Sequence, residues 1–365
     1  MKIAFTIIIL VHGIIHFMGF AKAFEIGNLA QFTKEIYKPL GISWLFTGFL
    51  FILSTALYFM KKDGWPILIT AALVFSQLLI FAAWKDAKFG TIANIMILIV
   101  AILGFGAQKF KNSYNKDVLS TFQTVKAVNE LLTEKDLMHL PPIVQNYLRY
   151  VGVVNKPKVH NFRIIFDGQM RDKGKDWFGF TSEQYNFVKE PTRLFFMKAK
   201  MKGIPTHGYH SYKNVNARMQ IKLLSLFSVV DMSGEDLFAT ETVTFFNDLC
   251  LFAPAALIDK HIQWKVIDET SVKATYINNS AKISAILYFN TEGQLINFVS
   301  NDRIAVSEMK TFPFSTPVKN YKTINGLQLP TYGEAVWHYP EGEFVYGKFK
   351  VKSVEYNVID LEYSF

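Results

Sequence analysis

Four long runs without a charged residue occupy the first part of the chain: Ile3 to Phe20, Ile42 to Met60, Trp65 to Trp84 and Thr91 to Phe105. About 20 apolar residues cross roughly 30 Å of hydrocarbon as a helix, and about 17 is a working minimum. The fourth run reaches that length only with its flank, so the predicted spans are about 3–20, 42–60, 65–84 and 91–107. Backbone inside lipid must satisfy its own hydrogen bonds, which leaves helices as the form for runs of this kind. The expectation is a four-helix transmembrane bundle. Trp65 and Trp84 stand at the two ends of the third run, where interfacial aromatic anchors belong. Lysines near the span ends divide almost evenly between the two sides, so charge does not set an orientation. Lys2, the first run and Ala21-Lys22-Ala23 also imitate a cleaved secretory signal, but the run exceeds a signal core of about 7–15 residues, and it is read as a span.

His12 and His16 lie four apart on one face of the first span. Two imidazoles in that geometry can hold a metal or haem, and ionisable groups in a bilayer are functional candidates. No matching pair of ligands occurs in the other runs, so bonds to neighbouring helices are the preferred reading, and no cofactor is expected.

The whole chain has 365 residues, enough for about two domains. Its formal charge of +9 is scattered, with no block of basic residues of the kind that marks a nucleic-acid surface. The single cysteine, Cys250, excludes an intramolecular disulfide and any multi-cysteine metal site. Polar residues return from Gln108, and 108–132 reads as a linker into a soluble domain over 133–365. Thr133 to Asp136 is a helix start signal, and Pro141-Pro142 followed by Val144, Tyr147, Leu148 and Val151, with Gly152 behind, predicts a short amphipathic helix.

Beyond Pro157 the hydrophobic period becomes two, as in Phe195, Met197, Ala199 and Met201, or Ala217, Met219, Ile221 and Leu223. About ten strands are expected, each with one wet and one dry face. Asp167-Gly168, Asn290 to Gly293, Asn325-Gly326 and Pro340 to Gly342 read as turns. One stretch breaks the pattern: about 235–252 is apolar nearly all round and reads as a buried helix, with Ser233 and Asp236 as candidate caps and Pro254 near its end. The fold class is therefore α+β, the spans being followed by a curved antiparallel β half-barrel with an enclosed helix.

The strings Gly234 to Asp259, Trp177 to Tyr185 and Gly333 to Tyr346 resemble an uncharacterised bacterial domain family whose members often carry hydrophobic helices ahead of the domain. The resemblance covers roughly Leu132 to Tyr356 and implies no activity or catalytic residues. In strand pattern and enclosed helix the domain is also similar to the periplasmic lipoprotein-carrier half-barrel, an architectural likeness that implies shelter for acyl chains.

Flexible Met and large aromatic side chains adapt to such chains, and Phe195, Met197, Met201, Met219, Phe245, Phe246, Phe289, Phe298 and Tyr346 are the candidate lining of a cavity. The expectation is a module fixed to a bacterial cytoplasmic membrane by several spans, with a membrane lipid or lipidated protein as partner and no nucleic acid. The alternative from another class is an enzyme with Glu241 and Asp248 as acid and base, assisted by His207, His210 or His338; a third is a protein-interaction or sensing domain. Against the acid–base role stands a structural one, with both carboxylates fastened to Arg193, Arg218 or Arg303. His207 and His210, three apart on a strand, point to opposite faces. Cys250 stands among apolar neighbours that keep a thiol protonated.

Overall fold

A computed structural model describes residues 2–27, 29, 33–124, 130–306 and 308–362, which fall into two compact units, Met1–Phe110 and Lys111–Phe365. In the first unit are α1 (Lys2–Ala23), α2 (Lys38–Phe59), α3 (Trp65–Ala82), the single turn α4 (Trp84–Ala87) and the start of α5 (Gly90–Phe122). Helices α1, α2, α3 and α5 are long and apolar enough to cross a membrane. Ile9, Phe51, Ile69 and Ile97 are buried between them, while Ile7, Phe49, Leu78 and Ile95 turn outward. Apolar side chains on both faces are what lipid surroundings demand. A Cβ on Gly13 would stand 2.8 Å from that of Phe51, and one on Gly48 3.0 Å from the Gly13 carbonyl oxygen, so glycine lets α1 and α2 close on one another.

The two histidines of α1 face this interior. His12 Nε2 lies 2.8 Å from Asn94 Oδ1, and His16 Nε2 lies 2.9 Å from Ser76 Oγ. His16 Nδ1 bonds the His12 backbone oxygen at 2.8 Å, and Gln77 links Asn94 to Thr91. The rings are engaged by neighbouring helices, and among the described residues no cluster of three or more His, Cys, Asp or Glu could hold a metal.

Residues 108–122, read as the exit into a tether that is helical in part, continue α5 as helix; residues 125–129 of the expected linker lie outside the described residues. Lys109 and Lys116 are exposed, but Lys111 and Asp117 meet the strands. Lys111 pairs with Glu183 at 3.0 Å, the Tyr209 hydroxyl donates to Asp117 at 2.6 Å, and Lys213 donates to Ser120 and Thr121. Tyr114 and Phe122 pack on Tyr185, Phe187 and Phe196.

The second unit continues with α6 (Glu134–Leu137) and α7 (Pro142–Val151). Thr133 and Asp136 form the expected capping box, and Gly152 ends α7 at φ 84°. The strands are β1 (Asn161–Met170), β2 (Phe178–Phe187), β3 (Thr192–Met201), β4 (Ile204–Lys213), β5 (Asn216–Leu223) and β6 (Phe227–Ser233). After α8 (Glu235–Phe252) and a 3₁₀ turn (Pro254–Ile258) come β7 (Gln263–Val266), β8 (Ser271–Asn278), β9 (Ala281–Phe289), β10 (Leu295–Ser300), β11 (Ile304–Ala305), β12 (Lys310–Thr311), β13 (Phe314–Ile324), β14 (Leu327–Tyr339) and β15 (Gly342–Tyr356).

Thirteen of these strands form one antiparallel sheet, in the order β6-β5-β4-β3-β2-β1-β15-β14-β13-β10-β9-β8-β7, while β11 and β12 pair separately. The pattern reading of about ten strands thus missed the shortest ones. The sheet does not close, since β6 and β7 are its two edges. In chain order α8 lies between those edges, and it touches β5 and β6 near one end of the sheet, β9 and β10 near the other, and β14 in the middle. Only a sheet curved around the helix brings all of them to it. Bulges at Ile165/Phe166, Ile221/Lys222, Leu295/Asn297 and Ala335/Val336 supply local bends.

Two local expectations fail for physical reasons. Asp167-Gly168 is not a turn but lies inside β1, because the Phe180 ring lies over Gly168, 2.4 Å from where a Cβ would stand. Ser233 and Asp236 do not cap α8: Gly234 is its N-cap, with no side-chain cap bond. Helix α8 is tied down from its other end and its flanks, the Tyr147 hydroxyl donating to the Cys250 oxygen at 2.7 Å and the Tyr356 hydroxyl to that of Phe252.

On the sheet face opposite α8, Glu183 is fully buried. Its carboxylate accepts from Lys111 at 3.0 Å, from Tyr114 at 3.2 Å and from Arg163 at 2.8 Å. Removing the guanidinium would leave that charge short of its closest partner, a loss of about 3–5 kcal/mol. Arg163→Met should therefore lower the thermal midpoint of the full chain markedly, whereas Arg218→Met, which breaks an exposed pair with Asp231, should change it little.

Candidate functional site

Sheet, α8 and the β11–β12 hairpin do not fill the space they enclose. A cavity of about 610 Å³ remains, within the range of roughly 300–1,000 Å³ usual for small-molecule sites. Its walls are mostly apolar. Strand alternation explains which residues reach it: Phe195 and Met197 of β3 face inward, while Leu194 and Phe196, which alternate with them, are buried on the opposite face. Met219 and Ile221 of β5, Val318 of β13 and Phe349 and Val351 of β15 line it by the same rule. From α8 come Leu237, Thr240, Glu241, Thr244, Asn247, Asp248, Leu251 and Phe252. Past the first turn Thr244 is the one of these α8 residues that is only half-buried.

Of the nine residues expected to line a cavity, Phe195, Met197, Met219 and Tyr346 do so. Phe245, Phe246 and Phe298 are fully buried in solid core, Phe246 stacked on Tyr276 at 5.1 Å, and Phe289 packs against Tyr147. Met201, at the end of β3, is partly exposed and lies away from the cavity. Phe245 and Phe246 lie on the side of α8 that packs on strands, and Phe289 and Phe298 belong to β9 and β10, where the core is filled.

Two polar groupings interrupt the apolar wall. In the first, Arg193 lies between two carboxylates, with Nη1 3.1 Å from Glu241 and Nε 2.8 Å from Asp248. Gln184 donates to Asp248 at 2.7 Å, and His210 Nδ1 is 3.2 Å from Glu241. Burial alone would push the Glu241 carboxyl up, but the His210 bond and the charges of Arg193 and Arg303 hold it down at about 2. For Asp248 burial outweighs Arg193 and Gln184, and its carboxyl is pushed up. Both candidate acids are thus committed to one guanidinium, the arrangement that fastens a helix to strands β2 and β3.

The second grouping was not foreseen. Arg303, before β11, has its guanidinium 4.1 Å from the Phe314 ring and 5.3 Å from that of Trp337, and its Nη1 donates to the Tyr346 hydroxyl at 2.7 Å. Arg171 lies 4.4 Å from the Trp177 ring and 5.0 Å from that of Phe344. The alternation of Trp337 with Tyr339, and of Phe344 with Tyr346, was the sequence signal of an aromatic wall.

The remaining candidates lie elsewhere. His207 turns to the face opposite His210 and bonds Ser225; His338 bonds Ser315 at 2.8 Å and is not at the cavity. Arg218 pairs with Asp231 on the surface. Cys250 is buried, and burial pushes its thiol up.

Burial, with the ammonium groups of Lys198 and Lys111 nearby, lowers His207 from the usual 6.5 to about 4. The unfolded chain takes up this proton near 6.5 and the folded chain only near 4, so stability falls as pH drops through that window and is unaffected above it. His207→Asn should flatten the dependence of the unfolding midpoint on pH between those limits, read by thermal melts of the full chain across the range.

Comparison with known proteins adds the following. The model of a family described as of unknown function (DUF6544) matches residues 130–349. No curated protein matches the chain. Among solved structures it is similar to a LolA superfamily protein from Nitrosomonas europaea, at 12% sequence identity and a TM-score of 0.33, over 60% of this chain and 94% of that one.

Proposed function

This chain belongs to DUF6544, which brings no activity with it, and from the cavity we propose that the second unit is a binding module for a membrane-derived apolar ligand such as a lipid or the acyl chain of a lipidated polypeptide. The observation that carries the reading is the void of about 610 Å³ with its Phe, Met, Leu and Val walls beside α8. Four helices of the same chain are long and apolar enough to cross a membrane, which supports a ligand drawn from that membrane. The reading includes a multi-pass location in a bacterial cytoplasmic membrane. Each methylene moved from water gains about 0.8 kcal/mol, and on the order of ten of them supply roughly 8 kcal/mol, the free energy of micromolar binding before ordering costs.

The acid–base alternative uses the same cavity. Glu241 and Asp248 share the Arg193 guanidinium at 3.1 and 2.8 Å in an arrangement that ties α8 to β3, and this structural engagement favours the binding reading.

Native mass spectrometry of the full chain released from nonionic micelles should find co-purified lipid. Uptake of a fluorescent fatty acid should exceed that of empty micelles. Thr244→Trp, which places an indole in the void, should reduce uptake about tenfold or more while the thermal midpoint stays within a few degrees. Absence of lipid together with uptake no greater than that of empty micelles rejects the proposal.

A further inference from the structure

The cavity is not uniformly greasy, and its two cationic groupings differ in kind. Arg193 is neutralised where it stands, by Glu241 and Asp248. Arg303 is not: among the described residues it forms no ion pair, and its Nε is buried without a hydrogen-bond partner. Its charge acts through space on Glu241. A guanidinium stays charged in any protein setting, so a buried N–H of this kind carries a standing desolvation cost unless an acceptor meets it. Here the rings of Phe314 and Trp337 flank the planar group, the Tyr346 hydroxyl accepts from Nη1, and Nε is left for that acceptor.

Arg171 lines the same cavity and is held in the same manner, stacked on Phe344 while Tyr346, two residues on along β15, stands by Arg303. Residues two apart on a strand share a face. Two aromatic-backed guanidinium groups therefore line a chamber that also has an apolar wall through Phe195, Met197 and Met219, beside the Arg193, Glu241 and Asp248 cluster and with Lys173, Glu308 and Glu334 in its lining.

Resting on the binding reading above, we propose that the ligand is an amphiphile with an anionic head, a carboxylate or a phosphate, seated on Arg303 with its chain along the Phe195–Met219 wall. With Nη1 taken by the Tyr346 hydroxyl, an ionised oxygen pair accepts from Nε and Nη2 of Arg303 in parallel, and this geometry is matched by carboxylate and phosphate and by no neutral ester or alcohol. The head fixes the end at which the chain enters, and the apolar wall supplies the affinity without chain-length precision.

The test uses the full chain in nonionic micelles at mildly alkaline pH, with parinaric acid and its methyl ester as probes that share one chain and differ in head charge. A charge-assisted contact predicts that the acid binds about tenfold or more tightly than the ester, after subtraction of empty micelles. Arg303→Gln should bring the acid to within about twofold of the ester and leave the ester unchanged. Displacement of bound parinarate by oleate or by an oleoyl lysophosphatidate then identifies carboxylate or phosphate as the better head. Displacement by inorganic phosphate alone would show a site for a free anion and overturn the proposal. Equal binding of acid and ester to the unsubstituted chain overturns it too, while leaving the cavity reading intact; that comparison needs no variant to fold. Binding of neither probe removes both.

Discussion

An antiparallel sheet that curls without closing has two faces to keep from water and two edges to protect, and every other feature of the second unit answers that constraint. The inner face is met by α8, the outer face of β2 to β4 by the last turns of α5. Each contact is secured by a buried charge cluster built on the same strands. Glu183 of β2 faces outward to Lys111, Tyr114 and Arg163, and its neighbour Gln184 faces inward to Asp248. One strand thus holds a helix on either side through adjacent residues, and the pleat keeps the two networks apart.

This two-sided burial is also where the sequence was least legible. Alternation along β3 and β5 read as one wet and one dry face, and for β5 the exposed residues bear it out, but β2 and β3 are buried on both. The signal was hidden because the element covering the outer face, Lys111–Phe122, carries charge and lies far off in the chain; Lys111, Asp117 and Ser120 are polar where they meet polar partners on the strands. Local signals fared better. The capping box of Thr133, the glycine behind α7 and the apolar run of α8 each depend on a few neighbouring residues and are readable without tertiary knowledge. Asp167-Gly168 failed as a turn since only the distant Phe180 ring makes glycine necessary inside a strand.

At the cavity the same division holds. Residue types pointed to a lining of Phe and Met, yet which of them face the void depends on the side of α8 they occupy, and the fully buried Phe245 and Phe246 are the cost of not knowing it. Arg303 lay in the sequence as one of three spare arginines. Its setting requires β13, β14 and β15 to bring Phe314, Trp337 and Tyr346 together, a convergence that arises from strand pairing rather than from spacing along the chain.

The path of the chain from β6 through α8 to β7 gives the helix a second role. Its ends lead, through Gly234 on one side and residues 253–262 on the other, to the two edge strands, each of which lacks a partner on one side. At 18 residues and about 1.5 Å of rise each it runs for roughly 27 Å. No hydrogen-bond ladder joins the two edges, and what links them along the chain is the same helix that lies in the trough between them.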